Sequence, residues 1–223
     1  MTNTILSTII FLSVIFQPKL TNMQKETIKE PVVWILSELG NKMKENIKYI
    51  GNPETVKCKY GNAISFNGTS DGILLDSMPL KDLDEFTIEI IFEPKSGGGF
   101  EQRYLHLGEV QSDRVLLELR ATPTHWYADS FIKVGEENVT LISPELLHPL
   151  DKWYHLAYVN DNGRFTVFID GQKELEGEKK MPSLKGGGTS LGMRQNEVSW
   201  FKGVIYEVKI TPKALKTNEF LKL

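Results

Sequence analysis

The chain has 223 residues, 40% of them hydrophobic and 25% charged, with 18 Gly and 10 Pro, a composition that builds a core and excludes collagen-like, low-complexity and wholly disordered chains. Its 26 basic and 29 acidic side chains leave a net charge of −3 without a Lys/Arg block, so nucleic acid is not an expected partner. The one cysteine, Cys58, supports neither an internal disulfide nor a cysteine-rich metal site.

The first feature in chain order is Ile5–Phe16, ILSTIIFLSVIF. It is too short for the roughly 20 residues that cross a bilayer as a helix and has the length of a signal-peptide core. It reads as an export signal, although no Lys or Arg precedes it and no Ala-x-Ala site follows; an uncleaved anchor or a buried strand are the alternatives. The expectation is a signal peptide over 1–22 and one domain over 23–223, the mature chain starting between Leu20 and Gln24. Such a protein is exported, whether periplasmic, cell-surface or secreted, with no membrane span in the mature chain. Val32–Lys44 is a helix candidate interrupted by Gly40, and Val32, Val33, Trp34 and Ile35 could equally open a strand.

From about Ile47 onward period-two alternation dominates. Phe86–Glu93 places Phe86, Ile88, Ile90 and Phe92 on one face, with Thr87, Glu89 and Glu93 on the other. Arg114–Arg120 places Val115, Leu117 and Leu119 inward, leaving Arg114, Glu118 and Arg120 on the polar face. Arg164–Asp170 aligns Phe165, Val167 and Ile169 between Asn162-Gly163 and Asp170-Gly171, dipeptides that supply the positive φ of hairpin turns. Val204, Tyr206, Val208 and Ile210 form a further strand before Pro212, and Thr217–Leu223 adds a short helix or loop. Phe66 and Trp153 complete the expected core. Turn clusters recur at Gly97-Gly98-Gly99, Pro123, Gly135, Pro144, Gly163, Gly171 and Gly186-Gly187-Gly188. This spacing favours an all-β sandwich over βαβ units. Neither glycine triplet precedes a helical pattern or Gly-Lys-Ser/Thr, so both read as loop tips.

Five successive stretches carry a resemblance: Gly61–Gly72 (GNAISFNGTSDG), Phe86–Pro94 (FTIEIIFEP), Trp153–Val159 (WYHLAYV), Phe168–Gly171 (FIDG) and Gly203–Leu215 (GVIYEVKITPKAL). In this order they resemble a laminin G-like jelly-roll domain of the concanavalin A-like lectin and glucanase superfamily, from about Pro31 to the C-terminus. Glu101–His106, Trp126–Lys133, His148–Leu150 and Val198–Gly203 are similar to a bacterial exported group within it. The resemblance implies an all-β, two-sheet antiparallel jelly-roll sandwich. It does not supply a function, since that sandwich hosts lectins, adhesion modules, hydrolases and lyases.

The paired-carboxylate strand of the superfamily's glucanases, Glu-x-Asp-x-x-Glu or Glu-x-Asp-x-Glu, is missing. Glu89 and Glu93 would stand about 13 Å apart along one strand, at about 3.3 Å per residue, too far for a retaining pair, and read as a solvated face. A more suggestive patch comes from three strands: Tyr104 with His106, Glu118 with Arg120, and Tyr127 with Asp129 and Lys133. Glu118, Arg120 and Asp129 could hold a sugar by bidentate hydrogen bonds while Tyr127 or Tyr104 stacks on its ring. The expected activity is a non-catalytic binding module for a polysaccharide or glycan, with no catalytic residue and no metal assigned. A structural or protein-interaction domain is the bland alternative.

The enzyme alternative is a polysaccharide lyase or glycoside hydrolase on the same face, with Arg120 neutralising a uronate and Tyr104 or His106 taking a proton. Leu117-Glu118-Leu119-Arg120 partly resembles the Arg-x-Glu-x-Arg strand of jelly-roll alginate lyases, but Leu116 stands in place of the first Arg. Ser and Cys nucleophile chemistry is unsupported, since there is no Gly-x-Ser-x-Gly and Cys58 has no partner motif. His155 reads as a structural histidine, His148 as a turn residue and His125 as a loop residue. Trp126 and Trp200 are stacking platforms or core plugs. No cofactor is expected, except that Asp71 and Asp161 lie in loops of the type that bind Ca²⁺ in some laminin G domains. The sequence leaves the oligomeric state open.

Overall fold

Alternation is realised as sheet throughout the computed structural model, which describes residues 29–42 and 46–223. The export-signal reading of Ile5–Phe16 and the start of the mature chain lie outside the described residues, as do residues 43–45. In chain order the strands are β1 (Val32–Ile35), β2 (Ile47–Ile50), β3 (Glu54–Cys58), β4 (Gly61–Asn67), β5 (Gly72–Leu75), β6 (Glu85–Pro94), β7 (Glu101–Gly108) and β8 (Arg114–Ala121). They continue with β9 (His125–Val134), β10 (Glu137–Ile142), β11 (His148–Pro149), β12 (Tyr154–Asp161), β13 (Arg164–Ile169), β14 (Gln172–Glu178), β15 (Gly188–Leu191) and β16 (Lys202–Thr211). The Val32–Lys44 ambiguity resolves into both forms: β1, then a 3₁₀ turn over Leu36–Glu38 and a helical turn over Leu39–Lys42. No helix among the described residues is long and apolar enough to cross a membrane.

Two antiparallel sheets of eight strands form the sandwich. One runs β14-β13-β12-β6-β16-β4-β3 with β1 on β16, and the other runs β10-β9-β8-β7-β15-β5-β2 with β11 on β9. Phe86, Ile88, Ile90, Phe92, Phe165, Val167 and Ile169 face the core from the first sheet, and Val115, Leu117, Leu119, Ala128 and Ile132 face it from the second. The hairpin dipeptides behave as expected, with φ of 50° and 96° at Asn162 and Gly163 and of 49° and 76° at Asp170 and Gly171.

Three expectations about packing need correction. In β16 a bulge between Ile205 and Glu207 shifts the register, so Ile205 joins Val208 and Ile210 in the core while Tyr206 is only half buried. Val204 is buried outside the main core cluster. Trp153 is half buried, edge-on to Tyr60, and Tyr154 fills the core instead.

Glu89 is the third. It is fully buried on the outer face of the first sheet, because the C-terminal segment lies across that face. Phe220, Ala214 and Leu215 pack on Ala157 and Val159, and Thr87 Oγ1 donates to the Lys213 carbonyl while accepting from Leu215 N–H. Glu89 accepts from Leu221 N–H at 2.5 Å, meets His155 Nε2 at 3.1 Å and pairs with Lys209 at 3.4 Å. Burial opposes ionisation there, yet these partners together hold the Glu89 carboxyl below its ordinary range. His155 is thereby a structural histidine.

Candidate functional site

The outer face of the second sheet, across β7, β8 and β9, carries the polar cluster. Register brings Arg103 opposite Glu118 and, on the other side of β8, Glu118 opposite Asp129, Arg120 opposite Tyr127 and Arg114 opposite Lys133. Directly paired residues in a sheet share a face, so these side chains form one surface. Glu118 sits at its centre, accepting from Arg103 Nε at 2.9 Å and from Arg120 Nη1 at 3.2 Å. Arg120 also pairs with Asp129 at 2.5 Å and with Glu101 at 3.4 Å, and Arg103 pairs with Glu101 and donates to Ser199 Oγ at 2.5 Å.

These charges are nearly shut off from water. Glu118 and Asp129 are 2% and 3% exposed, and burial pushes both carboxyls above their ordinary range despite the arginines, whose charges lower them. Glu101, more exposed, is held below its range by its hydrogen bond from Arg103. The cluster opens on a cavity of about 230 Å³ lined by Arg103, Glu118, Arg120, Asp129 and Arg114, with Leu116 and Phe131 as apolar walls, Thr140 from β10 and Arg194 from the loop after β15.

Of the seven residues predicted from sequence, Glu118, Arg120 and Asp129 meet, while Tyr127, opposite Arg120, is only 8% exposed and does not line the cavity, so it offers no open face for stacking. Lys133 shares the face but stands at the other end, beside Arg114. Tyr104 and His106 do not form the expected pair. A bulge between Arg103 and Leu105 turns Tyr104 into the core, fully buried against Phe92 and Phe201. His106 stays on the outer side but is completely covered. Its Nε2 lies 2.9 Å from the Glu109 carbonyl and its Nδ1 accepts from Gln195 N–H at 3.3 Å. A carbonyl can only accept and an amide N–H can only donate, so the ring is neutral with the proton on Nε2. Neither residue reaches the face as a base or a stacking ring. Trp126 is likewise a core residue, packed on Phe92 and Tyr154.

Burial, together with the charges of Arg194, Arg114 and Arg103, drives the His106 pKa down to about 4 against the hydrogen bond to Glu109. A histidine depressed in the folded state gives stability that is complete above its unfolded pKa of about 6.5 and is lost as pH falls toward about 4. Urea denaturation of wild type and His106→Gln at pH 7 and pH 4.5 should show the wild type losing more on acidification, by about 2 kcal/mol. Equal losses would contradict the neutral, buried imidazole.

Glu101, Phe131 and Arg194 are members of the surface that alternation alone did not select. Arg194 arrives from a loop because β15 pairs with β7, a neighbour relation that no local pattern encodes. Ile142, 41% exposed and opposite Asp129, is an apolar neighbour. Asp71 and Asp161 lie elsewhere: the Asp71 carboxylate accepts from Asn52 N–H and Asn67 N–H at 2.9 and 3.1 Å, and Asp161 is exposed at the β12–β13 hairpin. Among the described residues no group of three His, Cys, Asp or Glu is arranged for a metal ion.

Two eight-stranded antiparallel sheets closed over one core, with a polar outer face, define a jelly-roll sandwich of the laminin G type. The family model described as the concanavalin A-like lectin/glucanases superfamily matches residues 67–219, and the chain belongs to that family. Comparison with the curated proteins returns no match. Similar solved structures include domain 4 of AbnA, a GH43 extracellular arabinanase from Geobacillus stearothermophilus, in complex with arabinotriose. It has 21% identity and a TM-score of 0.51 over 76% of this chain and 79% of that one. The heptameric SAP-like pentraxin from Limulus polyphemus has 19% identity and a TM-score of 0.57, over 70% and 78%. The binding domain of botulinum neurotoxin DC in complex with SialylT has 9% identity and a TM-score of 0.58, over 78% and 44%. At these identities the likeness concerns the fold.

Proposed function

We propose that the protein is an exported, non-catalytic binding module for a glycan, which it takes on the outer face of β7, β8 and β9. The observation that carries this reading is the cluster of Arg103, Glu118, Arg120 and Asp129, withdrawn from water around an open cavity with Phe131 in its wall. Burying ion pairs is a poor way to stabilise a sheet, since apolar residues of similar size do as well or better. Preorganised charged donors and acceptors beside an aromatic wall such as Phe131 are what a sugar's hydroxyls and ring require. The arabinotriose and SialylT complexes of two structural neighbours give support from the same sandwich. A lyase reading has less support, because its candidate bases Tyr104 and His106 are buried and turned away or already hydrogen-bonded.

A glycan array probed with wild type, Asp129→Asn and Phe131→Ala tests the proposal. Binding of a defined glycan class is expected for the wild type, reduced at least tenfold in both variants, with circular dichroism unchanged. A blank array, or binding indifferent to both substitutions, would favour a structural role for this face.

A further inference from the structure

Two arginines, Arg114 and Arg194, line the end of the cavity away from Asp129, with Lys133 next to Arg114 on the same face. Arg114 and Lys133 stand directly opposite each other on β8 and β9, and Arg194 lines the same cavity. Like charges placed opposite on neighbouring strands repel, and among the described residues none of the three forms a salt bridge to a carboxylate. The carboxylate nearest in sequence, Asp113, is turned to Gly135 N–H at 2.8 Å.

Neutral carbonyls hold the two guanidiniums instead. Arg114 Nη1 donates to Gln111 and Ser112 oxygens at 2.8 and 2.6 Å, and Arg194 Nη2 donates to Val110 O at 2.8 Å. The Arg114 plane also lies 5.0 Å from the Phe131 ring centroid. These contacts fix the groups in place without cancelling their charge.

We propose that the Arg114–Arg194 end of the cavity is a subsite for an oxyanion carried on a sugar, a uronate carboxylate or a sulfate ester, so that the glycan recognised on this face is acidic. This rests on the glycan-binding reading and specifies its ligand class. A guanidinium held in place gives charge-assisted hydrogen bonds to such groups, and both arginines line the cavity of about 230 Å³. With a net charge of −3 on the chain, the attraction is local and weakens with salt.

The test is a titration of the chain with trigalacturonate, its methyl ester, a sulfated heparin tetrasaccharide and neutral arabinotriose, read by calorimetry. Binding of trigalacturonate or of the sulfated probe is expected, and which of them binds identifies the source of the oxyanion. The methyl ester and arabinotriose should bind at least tenfold more weakly. Arg114→Gln and Arg194→Gln should each weaken binding at least tenfold, and Lys173→Gln on the other sheet should not. Should Arg114→Gln fail to fold, Arg194→Gln and the wild-type preference among the four probes still decide. Equal affinity for neutral and acidic probes, or binding indifferent to both arginine substitutions, would overturn the subsite while leaving glycan binding intact. Failure of every probe to bind would overturn both.

Discussion

Replacing Arg120 with methionine is expected to lower stability by about 3–5 kcal/mol, the cost of stranding buried carboxylates without their partner. Arg120 is the shared partner of Glu118, Asp129 and Glu101. Arg103 remains for Glu118 and Glu101, but among the described residues Asp129 keeps no cation. The cause is therefore charge and not lost packing, which a second substitution checks. Asp129→Asn in the Arg120→Met background should recover part of the loss, whereas Asp129→Asn alone should not stabilise the wild type by as much. Chemical denaturation at pH 7 measures both. A loss below about 1 kcal/mol, in the range of a surface pair, would mean that the cluster is solvated.

Phe92→Ala should cost a comparable amount, about 3–5 kcal/mol, for a different reason. Phe92 is fully buried and its ring packs against Tyr104 at 4.9 Å, Trp126 at 5.4 Å and Phe201 at 6.3 Å. It comes from the first sheet, while Tyr104 and Trp126 come from the second, so the substitution opens a cavity where the two sheets meet directly beneath the polar cluster. Phe100→Ala is the control, since that ring is 61% exposed and its removal should change stability little. Similar midpoints for the two variants in thermal denaturation would contradict the assigned core.

The arrangement of the fold was largely legible because half-buried strands advertise their faces. Phe86, Ile88, Ile90 and Phe92 point inward as their spacing requires, as do Val115, Leu117 and Leu119. Alternation fails where the backbone slips by one residue. Tyr104 and Tyr206 both lie at bulges, and nothing in Arg103-Tyr104-Leu105-His106 marks the slip locally. Glu89 was misread for another reason: its strand is polar on the outer face, but the cover comes from the far end of the chain. The run Leu156-Ala157-Tyr158-Val159, apolar on both faces of β12, was the available sign that this sheet is covered on both sides.

The site divides in the same way. Glu118, Arg120, Tyr127 and Asp129 were accessible to parity because they lie on two adjacent strands joined by a short turn. Arg103 required knowing where β7 bulges, and Arg194 required knowing that β15 pairs with β7. Both are facts of tertiary pairing, and they move the positive charge of the face toward Arg114.

The central claim is that this outer face receives the glycan. Its most direct test is backbone and side-chain NMR of the chain titrated with a glycan that the array identifies. The account predicts shifts confined to Arg103, Arg114, Glu118, Arg120, Tyr127, Asp129, Phe131 and Arg194; shifts that cluster instead on the sheet covered by Phe220, or on the loops around Asp71, would contradict it.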